Sequence, residues 1–133
     1  MKSLLVFGVV LLSLFFIFKQ ESIPKNQTKM TYSKALELAK KSNKLIMLKL
    51  TSDHCRYCIK MDREVMSDKE VKELLSKHFI TVNVNVDHER IPLGIKRGIT
   101  PTFIFIDKNQ KVVSKIPGSW NKRDFIDLLQ ARI

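Results

Sequence analysis

Cys55 and Cys58 are the only cysteines in the 133-residue chain, and two residues separate them. A Cys-x-x-Cys that opens a helix brings both sulfurs onto one face within a turn, close enough to bond to each other. The positive helix end and its unpaired amide N–H groups then stabilise a thiolate on the first sulfur. Such a pair can carry out thiol–disulfide exchange. Cys55 attacks a disulfide, and Cys58, the more buried of the two, attacks the mixed disulfide and releases the reduced product. Zinc sites use the same spacing but need two further ligands, and His54, His78 and His88 form no second paired motif. A purely structural disulfide is the other alternative.

A second element with chemical potential is Thr100-Pro101, placed just before the apolar run TFIFID. A proline there either adopts the cis form, leaving adjacent backbone groups free to pair with an extended substrate, or is an ordinary trans proline opening a strand. Spacing alone does not choose between them.

The elements that must position these residues can be read from periodicity. Ala35, Leu36, Leu38 and Ala39 lie on one side of a helix that starts near Thr31 and ends at Ser42-Asn43. Lys44 to Thr51 reads as a mostly buried strand, so Cys55 falls at a strand-to-helix junction. The helix after it runs to about Val65, and Ser67-Asp68-Lys69-Glu70 reads as a capping box for another that continues to about Lys77. Phe79 to Val86 alternates as a second strand, and Asp87 to Gly98 has room for a turn or two of helix. Thr102 to Asp107 and Lys111 to Ile116 form a hairpin around the turn Asp107 to Gln110, and Asn121 caps a last amphipathic helix. Strands joined through a helix run parallel and a tight hairpin runs antiparallel. The expectation is therefore an α/β domain with a mixed four-stranded sheet and helices on both faces.

Residues 1–19 stand apart from this pattern. Ser3 to Phe18 carries no charge and is flanked by Lys2 and Lys19, the layout of a secretory signal or an N-terminal membrane anchor. FFIFKQESIP offers no pair of small residues for signal cleavage, so an uncleaved anchor is expected, with a cleaved signal as the alternative. Residues 20–30 are a polar tether containing Pro24, and 31–133 form the folded domain. Export puts that domain in the cell envelope, on the periplasmic side of the inner membrane, where disulfides persist. The formal net charge is +11, which favours anionic lipid surfaces or acidic partners. The lysines are scattered without aromatic interleaving, so nucleic acid is not an expected partner.

The order DHCRYC, EVMSDKEVKELL, FITVNVNVD, GITPTFIFID and a glycine in PGSW resembles the thioredoxin superfamily. It is most similar to thioredoxin-like proteins related to the C-terminal domain of the bacterial transmembrane disulfide reductase, over roughly 31–133. The resemblance implies a thioredoxin fold, a cis Pro101 facing an exposed Cys55, and substrate binding at Thr100 and Pro101. It also implies disulfide reduction or electron relay between protein thiol/disulfide substrates and a membrane redox partner, with no cofactor beyond the cysteine pair and no metal.

Three positions depart from the family pattern. His54 replaces an aromatic residue before the first cysteine, Arg56-Tyr57 replaces Gly-Pro, and Lys49 stands where relatives often bury an acid. Arg56 is expected to stabilise the thiolate and make the disulfide more oxidising. Lys49 is expected to snorkel to the surface; turned inward, it would lower the thiol pKa values. Three other functions fit the same fold. Disulfide-introducing oxidases commonly carry a helical insertion for which Asp87 to Gly98 leaves no room. Cytochrome c maturation partners carry an acidic signature not evident around Gly98 to Pro101. A binding or chaperone module would use the groove without turnover.

Overall fold

In the computed structural model, residues 29–133 are described. The expected anchor 1–19 and most of the tether lie outside them. Helix α1 (Tyr32–Ser42) is capped by Thr31, whose hydroxyl accepts from the Lys34 amide, and ends on Asn43 in the left-handed conformation. Strand β1 (Leu45–Thr51) leads into the cysteine turn and helix α2 (Arg56–Met61). Strands β2 (Phe79–Asn85), β3 (Thr102–Ile106) and β4 (Val112–Pro117) complete the sheet, and α4 (Lys122–Gln130) closes the chain. Asn121 caps α4 as expected, accepting from the Asp124 amide at 2.9 Å.

The strand order is β2-β1-β3-β4, with β1 parallel to β2 and antiparallel to β3, and β3 antiparallel to β4. This is the mixed four-stranded sheet read from the sequence. Strand β1 alternates between its two faces, as a pleated strand must. Ile46, Leu48 and Leu50 join Ala35 and Ala39 of α1 on one side. Met47 joins Met61 of α2 and Phe125 and Leu129 of α4 on the other, together with Phe103 and Phe105 of β3.

Local corrections come from competing hydrogen bonds. The helix after Cys55 does not run on as α-helix to Val65. It becomes a π-helical turn over Asp62–Met66, and Ser67 ends that turn. The Ser67 amide bonds to the Asp62 carbonyl and its hydroxyl donates to the Arg63 carbonyl at 2.6 Å, so Ser67 is not free to cap the next helix. Asp68 caps it instead. Its carboxylate accepts from the Glu70 and Val71 amides at the start of α3 (Lys69–His78). In the hairpin, Phe105 pairs with Ser114 but Ile106 with Val112, so Val113 is an extra residue in a β-bulge. Between β2 and β3 the only helical piece among the described residues is a 3-10 turn at Pro92–Gly94.

Candidate active site

Strand β1 ends at Thr51, and four residues later the chain turns into α2 with Cys55 as its N-cap. The Cys55 backbone is extended (φ −78°, ψ 94°), which lets its sulfur accept the Cys58 amide at 3.1 Å while its carbonyl accepts from Cys58 and Ile59. An N–H donor aimed at the first sulfur favours negative charge there. Cys55 and Cys58 are joined as a disulfide. Cys55 is part-exposed and Cys58 is 4 % exposed, the asymmetry that attack followed by resolution requires.

The turn before Cys55 is held from β2 and the loop after it. The Asn85 side-chain Nδ2 donates to the Asp53 carboxylate at 2.9 Å, and the His88 imidazole lies 2.7 Å from its other oxygen. The Asn85 hydrogen bond first, and His88 next, hold the Asp53 carboxyl below the ordinary carboxylate range. The Asp53 amide in turn donates to Asp87 at 2.7 Å. That bond, with Arg97 at 2.6 Å, depresses the Asp87 carboxyl. This network was missed in the sequence, because its members are scattered over 45 positions and only β1–β2 pairing unites them.

The Thr100–Pro101 peptide bond, at the entry to β3, is cis. The Pro101 carbonyl accepts the Gly118 amide at 2.8 Å, and Gly118 sits at φ +94°, a conformation that a side chain would strain. This is the glycine singled out in PGSW. The Thr100 hydroxyl lies 2.7 Å from that of Ser52, tying the loop to the end of β1. Among the described residues, the Thr100 N–H and C=O make no backbone hydrogen bond.

The departures from the family pattern fall in different places. His54 is exposed with φ +55°, and Tyr57 is 59 % exposed beside Arg56, which also faces solvent. Lys49 does not snorkel. It is 6 % exposed, because the strand alternation that buries Met47 also turns Lys49 beneath α2. Its ammonium pairs with the carboxylate of Asp62, the first residue of the π-helical turn. Asp62 donates its own amide to the Cys58 carbonyl, so the ion pair sits one helical turn from the second cysteine. The missed partner had one available signal, a carboxylate four residues after Cys58. Behind α2, the Met61 sulfur accepts the Trp120 amide at 3.5 Å and locks the β4–α4 corner against the helix.

The family model of the thioredoxin-like domain matches residues 32–133. The chain belongs to the thioredoxin-like family. With its cysteine pair intact, it is a thioredoxin-fold protein-disulfide oxidoreductase. It is 36% identical to thioredoxin H4 of Arabidopsis thaliana over 98 residues, covering 74% of this chain and 76% of that one. It is 28% identical over 93 residues to anterior gradient protein 3 of Mus musculus, 70% of this chain but only 56% of that protein, so the match spans little more than half of it. A solved thioredoxin from Thermus thermophilus superposes with a TM-score of 0.64 at 32% identity, covering 75% of this chain and 82% of the other. The oxidised C-terminal domain of DsbD from Neisseria meningitidis shares the fold, with a TM-score of 0.59 at 15% identity over 76% of this chain and 91% of the other. Among the described residues no group of three or more His, Cys, Asp or Glu is placed to hold a metal ion.

Proposed function

We propose that this thioredoxin-like protein reduces, or relays electrons to, protein disulfides in the cell envelope, on the periplasmic side of the inner membrane, drawing on a membrane redox partner. The observation that carries the exchange chemistry is the disulfide between a part-exposed Cys55 and a buried Cys58 at the start of α2, in a chain whose Thr100–Pro101 bond is cis. Starting from the dithiol, the Cys55 thiolate attacks a client disulfide. One client sulfur leaves as a thiolate and takes up a proton. Cys58 then loses its proton and attacks the Cys55 sulfur, releasing the second client thiolate. Two electrons have passed to the client, and the pair is left as the Cys55–Cys58 disulfide. A dithiol donor must reduce it for the next turn.

Two observations support reduction over oxidation. The β2–β3 connection holds only the Pro92–Gly94 turn, with no inserted helical subdomain. The buried Lys49 ammonium is paired by Asp62, so it adds no net charge that would stabilise the thiolate and make the disulfide more oxidising. The envelope location rests on the charge-free run Ser3 to Phe18. Thr100 and Pro101 line the client groove, and His54, Arg56, Tyr57 and Lys49 tune the pair.

Reduction of insulin by the purified full chain, supplied with a chemical dithiol, tests the reading. Acceleration over the dithiol alone, lost on alkylation of Cys55, is expected. No acceleration with either a chemical or an enzymatic donor would overturn it, and client binding that survives alkylation without activity would favour a non-catalytic module.

A further inference from the structure

The exchange reading does not say which disulfides the groove prefers. Its rim combines apolar and cationic groups. Tyr57, two residues after Cys55, and Ile99, next to Thr100, are 59 % and 65 % exposed. Cations accompany these two segments from three elements. Arg56 follows Cys55 directly on α2, and Lys96 is exposed in the β2–β3 connection three residues before Ile99. Lys115 comes from β4, and its ammonium lies 3.8 Å from where a Cβ would stand on Gly98, next to Ile99.

Among the described residues, Arg56, Lys96 and Lys115 enter no ion pair. The acids in the neighbourhood are committed elsewhere. Asp53 is held by Asn85 and His88, Asp87 by Arg97, and Asp62 by Lys49. The unbalanced charge around the disulfide is therefore positive, and it comes from side chains that the fold does not use.

We propose that the groove selects disulfides embedded in acidic polypeptide, with Asp or Glu within a few residues of the client cystine. This rests on the exchange reading above and names its client class. An extended client advances about 3.3 Å per residue, so carboxylates two to four positions from the cystine lie roughly 7–13 Å from it, comparable with the Debye length of about 10 Å at 0.1 M salt. Charges at such a rim act mainly on encounter and are screened by salt. A flat lipid surface would also attract cations, but here exposed Tyr57 and Ile99 and unpaired backbone groups at Thr100 accompany them, which suits a chain segment.

The test uses the pre-reduced full chain in non-ionic detergent and three cystine-bridged peptides that differ only in flanks of Glu, Gln or Lys. Single-turnover rates are each divided by the peptide's rate with a small neutral dithiol, which removes the intrinsic effect of the flanks. At low salt the Glu peptide is expected to react about tenfold faster than the Lys peptide, with Gln between them, and the spread should collapse near 1 M salt. In the Lys96→Gln/Lys115→Gln variant the Glu-to-Gln ratio should fall by more than half. Equal normalised rates, or a faster Lys peptide, would overturn the acidic preference while leaving the exchange reading standing. Equal rates joined to salt-sensitive binding of phosphatidylglycerol vesicles would assign the cations to lipid instead. If none of the peptides reacts, the exchange reading fails and the client class with it.

Discussion

On the side of the sheet covered by α1, β1 contributes Ile46, Leu48 and Leu50 to a cluster that is hydrocarbon throughout. On the opposite side the same strand contributes Met47 and then Lys49, under the helix that carries the cysteines. The first face depends on burial alone. The second interrupts its core with an ion pair one helical turn from Cys58, and burying charge costs more than burying methylene unless the partner is well placed. The contrast separates what holds the domain together from what sets the behaviour of its disulfide.

The sharpest way to break this comparison is at the cysteines. Cys55→Ser should abolish insulin reduction, a loss of at least about a thousandfold, without altering the fold seen by circular dichroism. Cys58→Ser should instead accumulate mixed disulfides with clients. On the α1 face, Leu48→Ala should destabilise by about 2–5 kcal/mol in urea unfolding and leave the reduction potential in place. A shift in potential there would show that the two faces are not independent.

On the other face, Asp62→Asn strands the Lys49 ammonium. Breaking a buried pair from one side costs about 3–5 kcal/mol, but Asp62 is half-exposed, so roughly 1–3 kcal/mol is expected. Lys49→Met removes the charge as well and should be near neutral in stability, while making the reduction potential more negative by about 10–40 mV. An unchanged potential would make the pair purely structural. Arg56→Ala should shift the potential in the same direction by a smaller amount, about 10–20 mV, because solvent screens an exposed charge. A less negative value would refute its role.

The smallest effect concerns acid. Asp53 and Asp87 have depressed folded-state pKa values, so their contribution is complete above the ordinary carboxylate value near about 4 and is lost as pH falls through the lower folded values. Hydrogen-exchange protection of the Asp53 amide, which donates to Asp87, should fall below about pH 4 before that of Leu48 does. Simultaneous loss would show that the turn and the sheet open as one unit.

Much of this was legible beforehand because it follows from local rules. The strand alternation, the Asn121 cap, the hairpin and the placing of Cys55 at a strand-to-helix junction all depend on neighbours within a few residues. Lys49 was misjudged because an exposed strand end and a buried one look alike until the helix above is in place. Ser67 was given a cap that Asp68 holds, since a serine that ends a π-helical turn has another use for its hydroxyl. The Asp53 network depended on β2 lying beside β1, which periodicity does not reveal.

The Gly118 amide that occupies the Pro101 carbonyl leaves the loop's open valences on the Thr100 side of the proline. A client chain therefore meets an edge that is available on one side only. A reversed chain would meet the same groups with differently spaced and slanted hydrogen bonds, and so in another register. Under the proposed function, two clients with identical cystines but reversed flanking order would therefore set different residues beside the cysteine pair.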